Sequence, residues 1–197
     1  MSYINTLEKI LDSRDATAGG STAAAMAGAM ACGLIGMTAR LSVMKCYGLE
    51  DRQYLELAEE LDEMSFKLLR GVREDHKAYE NICAAMKLPR ETDEEIESRS
   101  YAIETAGVRA LEVIRDNGHL CKKVYKIGLM LKDNSDSNAA SDLSMGISLA
   151  QAGIMGCAGG IRSNLPLVYN TELATSFRKD MERLLEEERY YVGDRQH

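Results

Sequence analysis

The stretch Asp15-Ala-Thr-Ala-Gly-Gly-Ser-Thr-Ala-Ala-Ala-Met-Ala-Gly-Ala-Met-Ala-Cys-Gly-Leu-Ile-Gly-Met-Thr-Ala39 decides the fold: a short glycine-bearing loop opens into a segment of almost wholly small residues. Every fourth position reads Gly20, Ala24, Gly28, Cys32 and Gly36, which stand one above another on a single helix face. Glycine inside a helix costs about 0.5–1 kcal/mol relative to alanine, so a glycine stripe implies a compensating close contact. It predicts the seam of a tight helix–helix crossing. The same device returns at 142–161, where Gly146, Ala150, Gly153, Gly156, Cys157, Gly159 and Gly160 occur with no charge between Asp142 and Arg162. The two small-residue helices are predicted partners, within one subunit or across a dimer.

Outward from these helices the chain reads as helix throughout. Residues 2–12 predict an amphipathic helix with Tyr3, Ile4, Leu7, Ile10 and Leu11 on one side. The small-residue helix is expected over 21–46, capped by Thr17 or Ser21, with a turn at Gly48. From 50 to 87, Tyr54, Leu57, Leu61, Met64, Leu68, Val72, Tyr79, Ile82 and Met86 keep helical spacing, with Gly71 as a candidate bend. Leu88-Pro89 ends that helix, and Thr92-Asp-Glu-Glu95 is a capping box that starts the next. Asn117-Gly118 reads as its stop, with a further helix over 119–132 and a polar turn at 133–137. Asn138 or Ser141 leads into the second small-residue helix, the 162–166 segment breaks it, and 171–191 predicts a closing helix. The expected fold is all-α: one domain over 1–197, a single bundle of long helices with two buried small-residue helices.

Composition narrows the function classes. The 197 residues include two prolines and no tryptophan, with 45% hydrophobic and 28% charged residues, which suits a soluble helical domain. A net charge of −7 and scattered basic residues argue against nucleic-acid binding by phosphate neutralisation. Five cysteines without CxxC or Cys/His spacing predict buried, reduced thiols in a cytoplasmic protein. The first residues lack the pattern of a signal peptide. Stretches 23–39 and 143–161 approach the length of a membrane span, but their Ala, Gly, Met and Ser content favours buried helices over membrane ones.

Three places carry candidate chemistry. The loop Thr17-Ala-Gly-Gly-Ser21 presents free amides at a helix start, a position receptive to anions; a plain helix start is the simpler reading of it. Within Glu74-Asp-His-Lys-Ala-Tyr-Glu80, Asp75 and Tyr79 share one face as i and i+4, set up for acid/base work if that face meets a cavity. A solvated charged face is the simpler reading, with His76 exposed and no metal-ligand companion. Asp133-Asn-Ser-Asp-Ser-Asn-Ala-Ala-Ser-Asp142 clusters hydrogen-bonding groups before an apolar helix. Calcium-loop spacing is absent, capping accounts for Asn138 or Ser141, and Asp142 is left needing partners or a role.

In order, these stretches resemble the cyclodeaminase/cyclohydrolase family, the helical module of formiminotransferase-cyclodeaminase and of stand-alone methenyltetrahydrofolate cyclohydrolases. The resemblance rests on residues 13–29, on Asp75-His-Lys-Ala-Tyr79 with Lys87-Leu-Pro89, and on Ser137-Asn-Ala-Ala-Ser-Asp-Leu143. Where the family usually writes Pro-Gly-Gly-Gly after a threonine, this chain has Ala18-Gly-Gly-Ser21; Arg162 and Asn164 stand where the family continues into an asparagine-rich segment. The resemblance implies an all-helical homodimer and a tetrahydrofolate substrate, without metal or cofactor. The implied reaction closes 5-formiminotetrahydrofolate with loss of ammonia or opens the 5,10-methenyl bridge with water. It further implies Asp75 and Asp142 as acid/base and pterin-anchoring carboxylates, with Tyr79 orienting. Gly19, Gly20, Ser21, Lys87, Asn138 and Arg162 are the implied substrate contacts, Arg40 a further candidate cation for the folate tail. The alternative is a non-catalytic helical dimer of the same family that binds a folate-like ligand or a protein partner.

Overall fold

Four long helices run alternately up and down. The computed structural model describes residues 3–15 and 17–186. Its helices are α1 (Tyr3–Leu11), α2 (Gly20–Ser42), α3 (Asp51–Met86), α4 (Asp93–Leu131), α5 (Ala140–Asn164) and α6 (Thr171–Leu185), with short 3-10 turns at Ser137–Ala139 and Leu165–Leu167. No strand occurs among the described residues, so the all-α expectation holds. The capping box at Thr92 is present, its hydroxyl accepting from the Glu95 amide while Glu95 accepts from the Thr92 amide.

Contacts between helices fix the topology. Gly28 of α2 faces Leu68 of α3, and Gly36 faces Leu61, so residue numbers rise along one helix as they fall along the other. Gly71 of α3 meets Asn117 of α4, and Gly153 of α5 meets both Cys121 of α4 and Ala24 of α2. These pairings describe an up-down-up-down four-helix bundle in which α2 and α5 lie side by side, antiparallel. Ile35, Leu61, Leu68, Leu111, Val124, Ile154 and Ile161 fill its centre. α6 packs on α4 and α5. Two segments, α2 and Ser137–Leu167, have the length and apolarity of membrane spans, yet both pack on neighbouring helices here.

The partnership of the two small-residue helices is confirmed, with one correction. A Cβ on Gly153 would sit 3.1 Å from the Ala24 carbonyl and one on Gly156 2.7 Å from the Ala24 Cβ, so α5 approaches α2 backbone to backbone. The stripe on α2 is split, however: Gly28 and Gly36 make room for α3 and α4, while Ala24, Ala31 and Ile35 meet α5. A helix surrounded on three sides uses its small residues in three directions.

Other expectations need correcting. α2 stops at Ser42, short of 46, because the chain turns back through Met44 (φ 62°), Cys46 (φ 55°) and Gly48 (φ 113°). Neither Thr17 nor Ser21 caps it; Gly19 is the N-cap, with no side-chain hydrogen bond. Asn117-Gly118 is no stop: α4 runs through both as one helix, because they are buried beside Gly71, Leu184 and Cys157 and packing overrides their end preference. α3 likewise continues through Gly71. α5 runs past Arg162 to Asn164 and is preceded by Ala139 with no side-chain cap, so neither Asn138 nor Ser141 caps it. Ile4, Leu7 and Leu11 of α1 face solvent. The closing helix is described to Leu185; its expected continuation to 191 lies outside the described residues. Of the five free cysteines, Cys32, Cys121 and Cys157 are buried as expected, whereas Cys83 is half-buried and Cys46 exposed.

Candidate active site

Asp75 is the centre of the site. It lies inside α3 on the face turned toward the start of α2, and only 7% of it is exposed. Ser21 Oγ donates to its two oxygens at 2.9 Å each, and Thr22 Oγ1 donates to Oδ2 at 2.5 Å. Ser21 therefore serves a carboxylate on another helix instead of its own helix end. Burial pushes the Asp75 carboxyl up from its ordinary range, and the Thr22 and Ser21 hydroxyls offset part of that rise. A carboxyl so placed is easier to protonate at neutral pH than an exposed one, which suits it to hold and return a proton.

A cleft of about 90 Å³ opens beside it, lined by Thr17, Gly19, Ser21, Thr22, Asp75, Tyr79, Ile82, Ala110, Ile114 and Asn164. Four stretches far apart in sequence thus converge: the loop and first turn of α2, the acidic segment of α3, the middle of α4 and the end of α5. Tyr79 stands one turn beyond Asp75 and is 39% exposed, at the rim; a hydrogen bond with Cys83, ahead of the charges of Cys83 and Asp15, raises its phenol. No atom comes within 4 Å of a Cβ built on Gly19 or Gly20, so both leave open space at the mouth. The cleft has room for water or for one edge of a larger molecule.

The loop that forms one wall is held from several sides. Asp15 Oδ1 accepts from the Thr17 amide at 2.7 Å and from its hydroxyl at 2.6 Å, and these bonds, the hydroxyl first, lower the Asp15 carboxyl. His76, expected at the surface, is buried at 6% exposure. Its Nδ1–H donates to the Thr17 carbonyl at 2.9 Å, because the loop folds over the α3 face that the charge pattern assigned to solvent.

The other expected site residues lie elsewhere. Lys87 is the exposed C-cap of α3, twelve residues past Asp75, or about 18 Å along the helix axis. Arg162 is exposed in the last turn of α5, near the cleft end of the bundle. Asp142 and Asn138 sit at the opposite end: from Asp142 to Asn164 the helix runs about 33 Å. Asp142 is half-buried. Sequence reasoning passed over Thr22, whose signal was a second hydroxyl beside Ser21, and Asp136, which it counted as turn polarity.

Asp136 is the buried carboxylate of that far end, 3% exposed. It pairs with Lys45 and accepts from the Tyr47 hydroxyl, the Asn138 amide and the Asn138 side chain, while its own amide donates to Ser42 Oγ. Lys45 foremost, then the Asn138 amide, holds its carboxyl down at about 2. Asn138 is thereby committed to Asp136. Beside this knot lies a groove of about 790 Å³ walled by Tyr125, Leu129, Leu143 and Ile147 and edged by Lys132, Ser144 and Gln151.

Comparison with known proteins bears on the family and the fold. The chain is 29% identical over 186 residues to a methenyltetrahydrofolate cyclohydrolase of Methylorubrum extorquens, covering 92% of this chain and 89% of that protein. It is 27% identical over 179 residues to the formimidoyltransferase-cyclodeaminase of Gallus gallus, of which it spans 32%. The fold matches the crystal structure of a formiminotetrahydrofolate cyclodeaminase from Thermotoga maritima with a TM-score of 0.77 at 24% identity, over 98% of this chain and 91% of that one. Residues 3–183 match the family model of formiminotransferase-cyclodeaminase, and the chain, with its acidic α3 segment and glycine loop meeting at Asp75, belongs to that family.

Proposed function

We propose that this protein is a cytoplasmic folate one-carbon enzyme, a homodimer of single helical domains over 1–197 that forms or opens the N5–N10 bridge of 5,10-methenyltetrahydrofolate. Family membership and the reactions named for its relatives support this reading. The observation that carries it is Asp75: the loop and the acidic segment, 53 and 54 residues apart at their hydrogen bonds, converge on one carboxylate at a cleft.

The chemistry asks for proton transfer. In the hydrolytic direction water adds to the bridge carbon, a base takes the water proton, and the tetrahedral carbon then releases N5, which gains a proton as the 10-formyl group forms. In the deaminating direction N10 attacks the formimino carbon and loses its proton, and ammonia departs once protonated. Asp75 is placed to take and return that proton, with Tyr79 orienting at the rim. Neither reaction moves an electron, so the proposal includes no redox cofactor, and it gives no step to a metal. The uncapped amides of Gly19, Gly20 and Ser21 at the start of α2 suit the anionic folate tail, with Arg162 at the same end and Lys87 farther along α3.

Asp142 and Asn138 enter this site only from a second copy. α2 and α5 both leave apolar residues outward: Met30, Met37 and Leu41 on one, Met145 and Met155 on the other, with Gly33 and Gly159 between them open to approach. In the proposed dimer two copies join through this face about a twofold axis perpendicular to the helices, which sets the Asp75 end of one against the Asp142 end and 790 Å³ groove of the other. A groove of that size is in the range of ligand sites, whereas the 90 Å³ cleft alone is below it. Such an interface buries both membrane-length stretches in a water-soluble dimer.

The test is to follow the absorbance of 5,10-methenyltetrahydrofolate against its uncatalysed decay, and methenyl formation from the formimino substrate. Turnover of one alone names the direction. Binding without turnover of either establishes the non-catalytic dimer instead. Mixing Asp75→Asn with Asp142→Asn protein under subunit exchange regains about a quarter of wild-type activity if sites are shared, since half the dimers are mixed and each has one intact site. No recovery rules out the shared site.

A further inference from the structure

We propose that His76 is a positioning residue: it latches the loop before α2 onto α3 and so holds the Thr17–Gly19 wall of the Asp75 cleft in place. A carbonyl oxygen only accepts, so the 2.9 Å contact with Thr17 O places the proton on Nδ1. Nε2 is then free to accept, and Lys9 Nζ of α1 stands 3.3 Å from it. Both ring nitrogens thus have a partner. Glu80 Oε1, 3.6 Å from Nε2, Asp15 on the loop and the adjacent Asp75 are charged groups that act on the ring.

The consequence for the cleft follows from the chain order. Thr17 is gripped at its amide and hydroxyl by Asp15 and at its carbonyl by His76. Ala18 follows and is buried, and Gly19 then lines the cleft as the N-cap of α2. Ala18 leaves its φ free where a proline would restrict it, so the loop depends on these side-chain bonds for its shape. His76 is adjacent to Asp75 on the same helix. One segment of α3 therefore supplies both the carboxylate of the cleft and the latch for its wall.

Asparagine and glutamine separate this role from space filling. In His76→Asn the side-chain amide nitrogen falls where Nδ1 of the ring stands and preserves the bond to Thr17. In His76→Gln it falls at the place of Nε2, and the bond is lost. The variants are His76→Asn, His76→Gln and His76→Leu, each checked for far-UV helicity. The latch is read by trypsin cleavage after Arg14, whose side chain is 90% exposed in the latched loop, following release of the 1–14 fragment by mass. Loss of one backbone-directed hydrogen bond predicts about tenfold faster cleavage in His76→Gln and His76→Leu, with His76→Asn near wild type. Equal rates in all four proteins, or His76→Asn as fast as His76→Leu, overturns the latch. The kinetic part rests on the folate reading: KM for the methenyl or formimino substrate rises about tenfold in the same two variants, kcat changes less, and His76→Asn rescues. Faster cleavage with KM unmoved leaves the latch standing and removes folate from this cleft.

Discussion

The two ends of α2 each meet a buried aspartate, and the two aspartates are treated oppositely. At the first turn, the hydrogen-bond partners of Asp75 are the Ser21 and Thr22 hydroxyls; burial dominates and its carboxyl is pushed up. Just past the last turn, Asp136 faces the Lys45 ammonium, an amide and a phenol, and its carboxyl is held at about 2. A buried carboxylate without a cation remains available to protons, while one with a cation is a structural anchor. The first borders a 90 Å³ cleft, and the second ties the returning chain to the base of α5 beside the larger groove.

That contrast breaks most readily at Asp75. Asp75→Asn is expected to lower kcat by about 10²–10⁴-fold while far-UV helicity and Tm are kept, since it removes a buried charge whose desolvation opposes folding at neutral pH. Near-normal turnover with a fallen Tm would reverse the roles of the two carboxylates.

Asp136→Asn has the complementary signature, a Tm about 5 °C lower at neutral pH with a much smaller loss of kcat than at Asp75. The pH dependence follows from the direction of each displacement. Asp136 is depressed, so its stabilisation is present above the ordinary value of 3.8 and lost as pH falls through about 2. Asp75 is raised, so its contribution is present below 3.8 and lost as pH rises through its displaced value. Urea denaturation from neutral pH down to about pH 2 should show the gap between wild type and Asp136→Asn closing toward the acid end. A constant gap would mean that Asp136 acts by packing alone.

Smaller changes sharpen the comparison. Lys45→Met removes the largest cause holding Asp136 down, so the acid loss of stability moves to higher pH. Ser21→Ala removes one of the two hydroxyls that offset burial at Asp75, so the limb of the kcat/KM profile belonging to Asp75 shifts upward. The accompanying rate change should be under about tenfold. An unmoved limb would show that Ser21 positions the chain without tuning the carboxyl.

Much of the architecture was legible in the chain itself. The three- and four-residue spacing of Tyr54, Leu57, Leu61, Met64 and Leu68 marks α3 because helical period is a local property. The capping box at Thr92 and the small residues of α2 and α5 are local as well. Asp75, Tyr79 and the Thr17–Ser21 loop could be picked out as residue types suited to chemistry, and the resemblance set them in order. Asn117-Gly118 was misread because its stop signal is local while the contacts that overrule it, with Gly71, Cys157 and Leu184, come from other helices.

Tertiary structure alone decided what surrounds each polar group. His76 sits on a face rich in charge, and only the loop folded over it makes it a buried donor to Thr17. Asp136 and Asp142 are both aspartates in one polar stretch; the return of Lys45 and Tyr47 from 89 to 91 residues away buries the first and leaves the second half-exposed. Helix hydrogen bonds join residues four apart, so where helices form is legible in local sequence, while packing decided that α4 runs on through Asn117-Gly118. The protonation and role of a buried carboxylate depend on groups brought from distant segments, and only the packed chain supplies them.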